Sequence, residues 1–316
     1  MEKISFVIPC YRSENTVGSV VDEIVGTVTG HGGYDYEIIL INDNSPDRVI
    51  DTIKALSKAN PRVKGLDLSR NFGQHSAIMA GFTYLTGDIV VCLDDDGQTP
   101  ANEVFKLIDK LDEFDLVFAE YKNKQHSGFR NFGSKVNDLM ARWLLSKPKD
   151  LKIMSYFACR RYVVDEVLRY ENPYPYMSGL LLRATKKVTN VEVNHRERVE
   201  GSSGYSLKKL LLLWINGFTS FSVKPLRFAT FLGFITAAAG FLFGIYVIIH
   251  KIVVPESLLG WSSTMAVLLF LGGMIMLMLG MVGEYVGRIY LSINRAPQFV
   301  IRKTVGFDQK DKSHER

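Results

Sequence analysis

Short apolar, β-branched runs recur in the first part of the chain, at 4–8, 37–41, 63–68, 88–93 and 116–119, each closed by turn-forming residues. A strand with one wet face alternates apolar and polar positions. Apart from Lys64 and Asp67 in the third, these runs are largely unbroken, so each reads as a strand buried on both faces. Helix-period segments separate them, at 16–28, 49–59, 74–84 and 102–114. This order predicts an α/β domain with a mostly parallel sheet covered by helices on both sides. Ligands of such sheets bind beyond the carboxyl ends of the strands, so the residues that follow each run are the candidates for chemistry.

The pattern changes after Lys224. Residues 226–249 are apolar apart from Arg227, and 263–282 carry no charge. Each stretch is about 20 residues or longer, enough to cross about 30 Å of hydrocarbon, which favours two transmembrane helices over buried core helices. The intervening segment holds one lysine and one glutamate, whereas Lys208, Lys209, Lys224 and Arg227, then Arg288, Arg295, Arg302 and Lys303, lie on the outer flanks. The positive-inside rule then predicts a multi-pass protein of the cytoplasmic membrane with both ends inside. Residues 207–223 mix Lys208 and Lys209 with Trp214, Phe218 and Phe221, the composition of a helix lying in the membrane interface. The expected organisation is a cytoplasmic α/β domain over 1–206, an interfacial helix over 207–225, and spans over 226–250 and 263–287. An external loop over 251–262 joins the spans, and a cytoplasmic tail over 288–316 follows, disordered after 307.

Composition adds little to this division. Apolar residues make up 47% and charged residues 22% of 316, and the net charge of +5 is modest. Its placement beside the apolar stretches suits anionic lipid headgroups and gives no support for a nucleic-acid partner. Cys10, Cys92 and Cys159 stand far apart, as reduced thiols rather than zinc ligands or disulfides. No cleavable signal peptide is expected, because strand-like residues begin at Ile4.

The strongest chemical signal is Asp94-Asp95-Asp96, where a buried strand ends in consecutive acids followed by Gly97 and Gln98. Carboxylates gathered at one strand end repel each other unless a cation offsets them. Asp94 and Asp96 are two apart, so they leave the strand on one side and can share a hard divalent ion, Mg2+ or Mn2+, with a diphosphate as further ligand. The bland alternative is a solvated acidic turn. Two weaker signals accompany it: Asn42-Asp43-Asn44-Ser45-Pro46-Asp47 after the second run, and Pro9-Cys10-Tyr11-Arg12-Ser13-Glu14 after the first. No glycine-rich GxGxxG fingerprint follows the first strand.

Taken in order, Val7-Ile8-Pro9-Cys10-Tyr11, Ile41 to Asp47, Leu68-Ser69-Arg70-Asn71-Phe72-Gly73, Thr86-Gly87-Asp88 and Leu93 to Gln98 resemble the inverting family 2 glycosyltransferases of GT-A fold. The similarity is greatest to the polyprenyl-phosphate branch, and Gly283-Glu284-Tyr285-Val286-Gly287-Arg288 extends it to the bacterial two-span members. The resemblance implies a GT-A catalytic domain followed by an interfacial helix and two transmembrane helices. It implies a nucleotide diphosphate sugar donor, UDP-linked by preference, a polyprenyl phosphate acceptor, and assembly as homo-oligomers. It assigns Asp94 and Asp96 to the metal with Gln98 in support, and Asp95 to the donor. Asp43 would read the base, with Pro9, Tyr11 and Glu14 lining the same pocket. Arg130, and Arg198, Ser203 and Tyr205 of an RxxGxSxY-like segment, would meet the lipid phosphate. Where relatives carry a GDFR-like segment this chain has Ser155-Tyr156-Phe157, so Arg160 or Arg161 is the candidate to replace the family arginine in contacting phosphate.

A lipid phosphate is already ionised near neutrality and needs no strong base. The enzymatic task is to bring two anions together, with the metal at Asp94 and Asp96 offsetting the leaving diphosphate and Arg130 and Arg198 offsetting the acceptor. A processive polysaccharide synthase is the nearest rival, but its QxxRW motif is broken here, Leu139 preceding Arg142-Trp143. A non-catalytic membrane scaffold is the rival from another class; the joint presence of Asp43, Asp94, Asp96 and Gln98 weighs against it.

Overall fold

A computed structural model describes residues 1–121, 148, 150–194, 224–253, 260–294 and 296–307. The chain divides into two compact units, Met1–Leu210 with Arg295–Arg316, and Leu211–Asn294.

In the first unit the apolar runs become β1 (Lys3–Cys10), β2 (Asp35–Asn42), β3 (Val63–Leu68), β4 (Ile89–Cys92) and β5 (Leu116–Tyr121). The helical segments become α1 (Val17–His31), α2 (Val49–Ala59), α3 (Gln74–Phe82) and α4 (Val104–Ile108). The expected single helix over 102–114 is instead a short α-helix between two 3-10 turns, Ala101–Glu103 and Asp109–Asp112. Beyond them come β6 (Phe157–Arg160), α5 (Arg161–Leu168), α6 (Met177–Ala184), β7 (Val188–Val193) and, after the second unit, β8 (Ile301–Val305). Among the described residues these strands form one sheet in the order β7-β5-β6-β4-β1-β2-β3-β8. The centre, β4-β1-β2-β3, is parallel, while β6 and β8 run antiparallel to their neighbours β4 and β3.

Seven of the eight residues of β1, and seven of the eight of β2, are buried, as expected for strands covered on both faces. Helix α3 lies close on this sheet: a Cβ at Gly81 would sit 2.6 Å from Val7 Cγ1 and 2.8 Å from Ile41 Cδ1. At the amino edge, a Cβ at Gly87 would meet Lys3 O at 2.7 Å and Ser5 N at 2.8 Å, which explains the glycine of Thr86-Gly87-Asp88 as a packing requirement. Glu37, its side chain only 2% exposed, accepts bonds there from Ser5 Oγ, Thr86 N and Thr86 Oγ1 and pairs with Lys3 and Lys64. The three cysteines are buried in β1, β4 and β6, where burial raises each thiol pKa and leaves the sulfur unreactive.

The tail expected over 288–316 needs correction. Its first residues continue a helix, and Ile301–Val305 pairs with Gly65–Leu68 as an edge strand of the sheet. Arg302 and Lys303 masked the signal: charged residues on an edge strand discourage edge-to-edge association and also erase its hydrophobic pattern. The end expected to be disordered lies, from 308 on, outside the described residues, as does 207–223 of the expected interfacial helix.

In the second unit α7 (Lys224–Val253) and α8 (Trp261–Ile293) have 30 and 33 residues, each longer than its expected span. At 1.5 Å per residue they measure about 45 and about 50 Å, more than the ~30 Å of bilayer hydrocarbon. Both carry stretches long and apolar enough to cross a membrane, with Phe234, Phe241, Met276 and Ile289 among the exposed apolar side chains. Gly233 of α7 admits Met278 of α8, whose Cε would lie 2.9 Å from an added Cβ.

Candidate active site

The chain leaves β1 toward β2 on one side and reaches β4 on the other, so β1 and β4 flank a topological switch point. Loops diverge there and open a crevice beyond the carboxyl ends. The acidic triplet stands at that place. Tyr11, directly after β1, donates its backbone N–H to Asp95 Oδ2 at 2.9 Å, and Thr16 Oγ1 donates to the Asp95 carbonyl at 2.7 Å. Burial pushes the Asp95 carboxyl up to about 6, against the lowering effect of its hydrogen bonds. Asp96 Oδ1 accepts the Gln98 backbone N–H at 3.1 Å across Gly97, which has φ 74°. Asp94 accepts from Gln74 Nε2 at 2.9 Å on one oxygen and from Ser155 Oγ at 2.5 Å on the other. Tyr121, at the end of β5, has its phenol pushed up to about 12 by burial and, next, by the charge of Asp94.

The loops after β1 and β2 are laced together. Glu14 N–H donates to Asp47 Oδ2 at 3.0 Å, Glu14 Oε2 accepts from Arg48 N–H at 2.8 Å, and Arg12 N–H donates to Ser45 Oγ at 2.7 Å. Asp43, nearly buried, accepts from Phe72 N–H at 2.7 Å on one oxygen and from Gly73 N–H at 2.8 Å on the other. It thereby fixes the segment that opens α3. Burial raises its pKa, and those two bonds oppose the shift.

Pro9, Tyr11, Glu14, Asp43, Asp94, Asp95, Asp96 and Gln98 all stand on the loops or strand ends of the β1, β2 and β4 carboxyl edge. Arg161 does not. Strand β6 runs antiparallel to β4, pairing Phe157 with Cys92 and Arg160 with Ile89, so Arg160 and Arg161 fall at the opposite edge. Arg161 donates to Leu85 O and pairs with Asp165, and Arg160 pairs with Glu2 and Asp112. The expectation that either replaces the family arginine at phosphate is corrected by that strand direction. The same direction brings Ser155 to Asp94, a contact the sequence did not announce. Arg130, Arg198, Ser203 and Tyr205 lie outside the described residues.

Sequence reasoning also missed Gln74 and its neighbour His75. His75 lies against Tyr176, and desolvation lowers its pKa to about 4, so the ring is neutral near pH 7. Among the described residues no group of three or more His, Cys, Asp or Glu side chains could hold a metal ion. Asp94 and Asp96 still suit a hard cation, because their carboxylate oxygens are hard ligands. Mg2+ and similar ions are commonly held by one or two carboxylates plus water and substrate phosphate, and Asp94 and Asp96 offer two such carboxylates.

A mostly parallel sheet with its acidic triplet at the switch point, followed by an apolar helical hairpin, fits a glycosyltransferase of GT-A fold, and the family match shows that it is one. The chain belongs to glycosyl transferase family 2, whose model matches residues 5–168, and residues 224–289 match the GtrB C-terminal hairpin. A Bacillus subtilis relative, the uncharacterised glycosyltransferase YkcC, is 34% identical over 97% of this chain and 95% of its own. The undecaprenyl-phosphate 4-deoxy-4-formamido-L-arabinose transferase of Serratia proteamaculans is 32% identical over 97% of this chain and 95% of its own; that of Proteus mirabilis is 31% identical over 100% and 98%. Glucosyl-3-phosphoglycerate synthase of Mycobacterium tuberculosis, solved with Mn2+, UDP and phosphoglyceric acid, shares the fold with TM-score 0.50 and 20% identity, covering 67% of this chain and 74% of that one.

Proposed function

We propose that this protein transfers a sugar, with inversion, from a nucleoside diphosphate sugar to a polyprenyl phosphate at the cytoplasmic face of a membrane. The observation that carries the proposal is the acidic triplet at the β1/β4 switch point of a family 2 chain that ends in an apolar hairpin. Relatives named for an undecaprenyl-phosphate acceptor, similar over the hairpin as well as the sheet, support the lipid. The polyprenyl chain gives the hairpin a purpose. Each CH2 drawn into water costs about 0.8 kcal/mol, so the enzyme must come to the lipid.

Asp94 and Asp96 would hold Mg2+ or Mn2+, which supplies positive charge to the leaving diphosphate. Ser155 and Gln74 orient Asp94 through their hydrogen bonds. Asp95, held by the Tyr11 N–H, joins the β1 loop to the triplet, and Asp43 shapes the base-side loop with Pro9, Tyr11 and Glu14 beside it. Arg130 and Arg198 would offset the acceptor phosphate, with Ser203 and Tyr205 at its entry. The phosphate oxygen then attacks the anomeric carbon from the face opposite the departing diphosphate.

The test is to incubate purified protein with Mn2+, undecaprenyl phosphate and a panel of radiolabelled nucleotide sugars and to look for label in the organic phase. Label is expected to appear, to be lost in chelator, and to be lost in an Asp94→Asn, Asp96→Asn double variant. Normal turnover by that variant, or a product of retained anomeric configuration, would overturn the proposal.

A further inference from the structure

Strand β8 is made only after the chain has passed through both long helices, and it carries an arginine onto the network behind the strand-end loops. Arg302 Nε donates to Asp67 Oδ2 at 2.9 Å and Nη2 donates to Asp67 Oδ1 at 3.1 Å, a forked pair on a carboxylate only 9% exposed. Nη2 also lies 3.4 Å from Asn44 Oδ1. Asp67 Oδ1 accepts in addition from Asn42 Nδ2 at 2.7 Å. Asn42 is buried, and its Oδ1 accepts the Ser45 N–H at 2.9 Å, so both ends of its amide are committed and its orientation is fixed. Ser45 Oγ accepts the Arg12 N–H, and the adjoining Tyr11 N–H reaches Asp95. A chain of hydrogen bonds and neighbouring residues therefore runs from the last strand to the acidic triplet. Asn44 sits at φ 49°, in the left-handed region that asparagine adopts more readily than most residues.

We propose that Arg302 is a positioning residue for the donor: its fork fixes Asp67, Asp67 fixes the Asn42 amide, and the 42–47 loop is thereby held in the shape that receives the nucleotide. The inference rests on the nucleotide-sugar reading above. Arginine suits the task because its planar fork matches a carboxylate with two bonds at once, which a lysine ammonium cannot do. Without it, Asp67 loses its forked partner and its counter-charge, and a carboxyl free to shift no longer anchors the Asn42 amide in one place.

The experiment uses the full-length protein in detergent, with UDP and GDP titrated calorimetrically in Mn2+ and steady-state kinetics on undecaprenyl phosphate. Arg302→Ala is expected to weaken nucleotide binding and to raise the donor KM by about tenfold, with kcat little changed, since loop placement is lost and the reacting groups are kept. Arg302→Lys should restore part of the loss. Lys303→Ala, which removes the exposed cation next along the same strand, should bind as the unaltered protein does. Unchanged binding by Arg302→Ala, or an equal loss in Lys303→Ala, would overturn the assignment, the second because it would mark general loosening of the strand. Failure of the unaltered protein to bind either nucleotide would overturn the donor reading and this inference with it.

Discussion

Replacing Asp43 by asparagine separates two roles that one carboxyl could play. Its two oxygens accept from Phe72 N–H and Gly73 N–H at 2.7 and 2.8 Å. Asparagine has one acceptor oxygen, and its NH2 end would face a backbone N–H. The variant loses one charge-assisted bond and strands one donor, each effect about 1–3 kcal/mol. Burial raises the Asp43 pKa, so the ionised carboxylate is itself unfavourable in the fold, and removing its charge returns part of that loss. A net destabilisation of about 2 kcal/mol follows. For a domain of this size that is a fall of about 4–8 °C in Tm, read by intrinsic fluorescence at a fixed scan rate. Donor KM should rise in step, because Phe72 and Gly73 lead into Gln74, which bonds Asp94. An unchanged Tm combined with lost nucleotide binding would refute this reasoning and assign the carboxyl to the ligand alone.

Ser155→Ala removes a donor from Asp94 and should raise the Mn2+ concentration needed for half-maximal turnover by about tenfold, seen in a metal titration of activity. Gly87→Ala should destabilise by about 2–3 kcal/mol, because the new methyl meets Lys3 O and Ser5 N, which are backbone; denaturant midpoints would show it. Glu37 has a folded pKa below its ordinary 4.5: its hydrogen bonds and Lys3 outweigh the raising effect of burial. Its stabilisation is therefore present above the unfolded value and lost as pH falls through the folded one. Glu37→Gln should cost about 3 kcal/mol at neutral pH and flatten the acid limb of a stability profile; an acid limb of unchanged steepness would count against the assignment. Asp43 has the opposite sign, its raised pKa making acidification locally favourable, so it contributes nothing to that limb.

What the sequence disclosed and what it hid follow one rule: a feature is readable when its cause is local. The runs that became β1, β2 and β4 were readable because burial on both faces leaves largely unbroken apolar stretches. The acidic triplet was readable because consecutive carboxylates at a buried strand end are costly without a partner. Four-residue β6, though buried, is too short to leave a pattern, the charged edge strand β8 buries too little, and their places come from pairing with β4 and β3. Site contacts divide the same way. Ser155 reaches Asp94 across 61 residues of sequence and Arg302 reaches Asp67 across 235, so neither contact leaves a spacing to find. Arg161 shows the converse error. Its place just after the segment that matches the relatives' GDFR-like run suggested a phosphate ligand, but antiparallel pairing of β6 carries it to the amino edge while bringing Ser155 to the acids. Strand direction, which no motif encodes, thus decides which of two nearby polar residues belongs to the chemistry. The same pairing logic makes β8, sequestered beyond the apolar hairpin, a working part of the sheet that the first strands build.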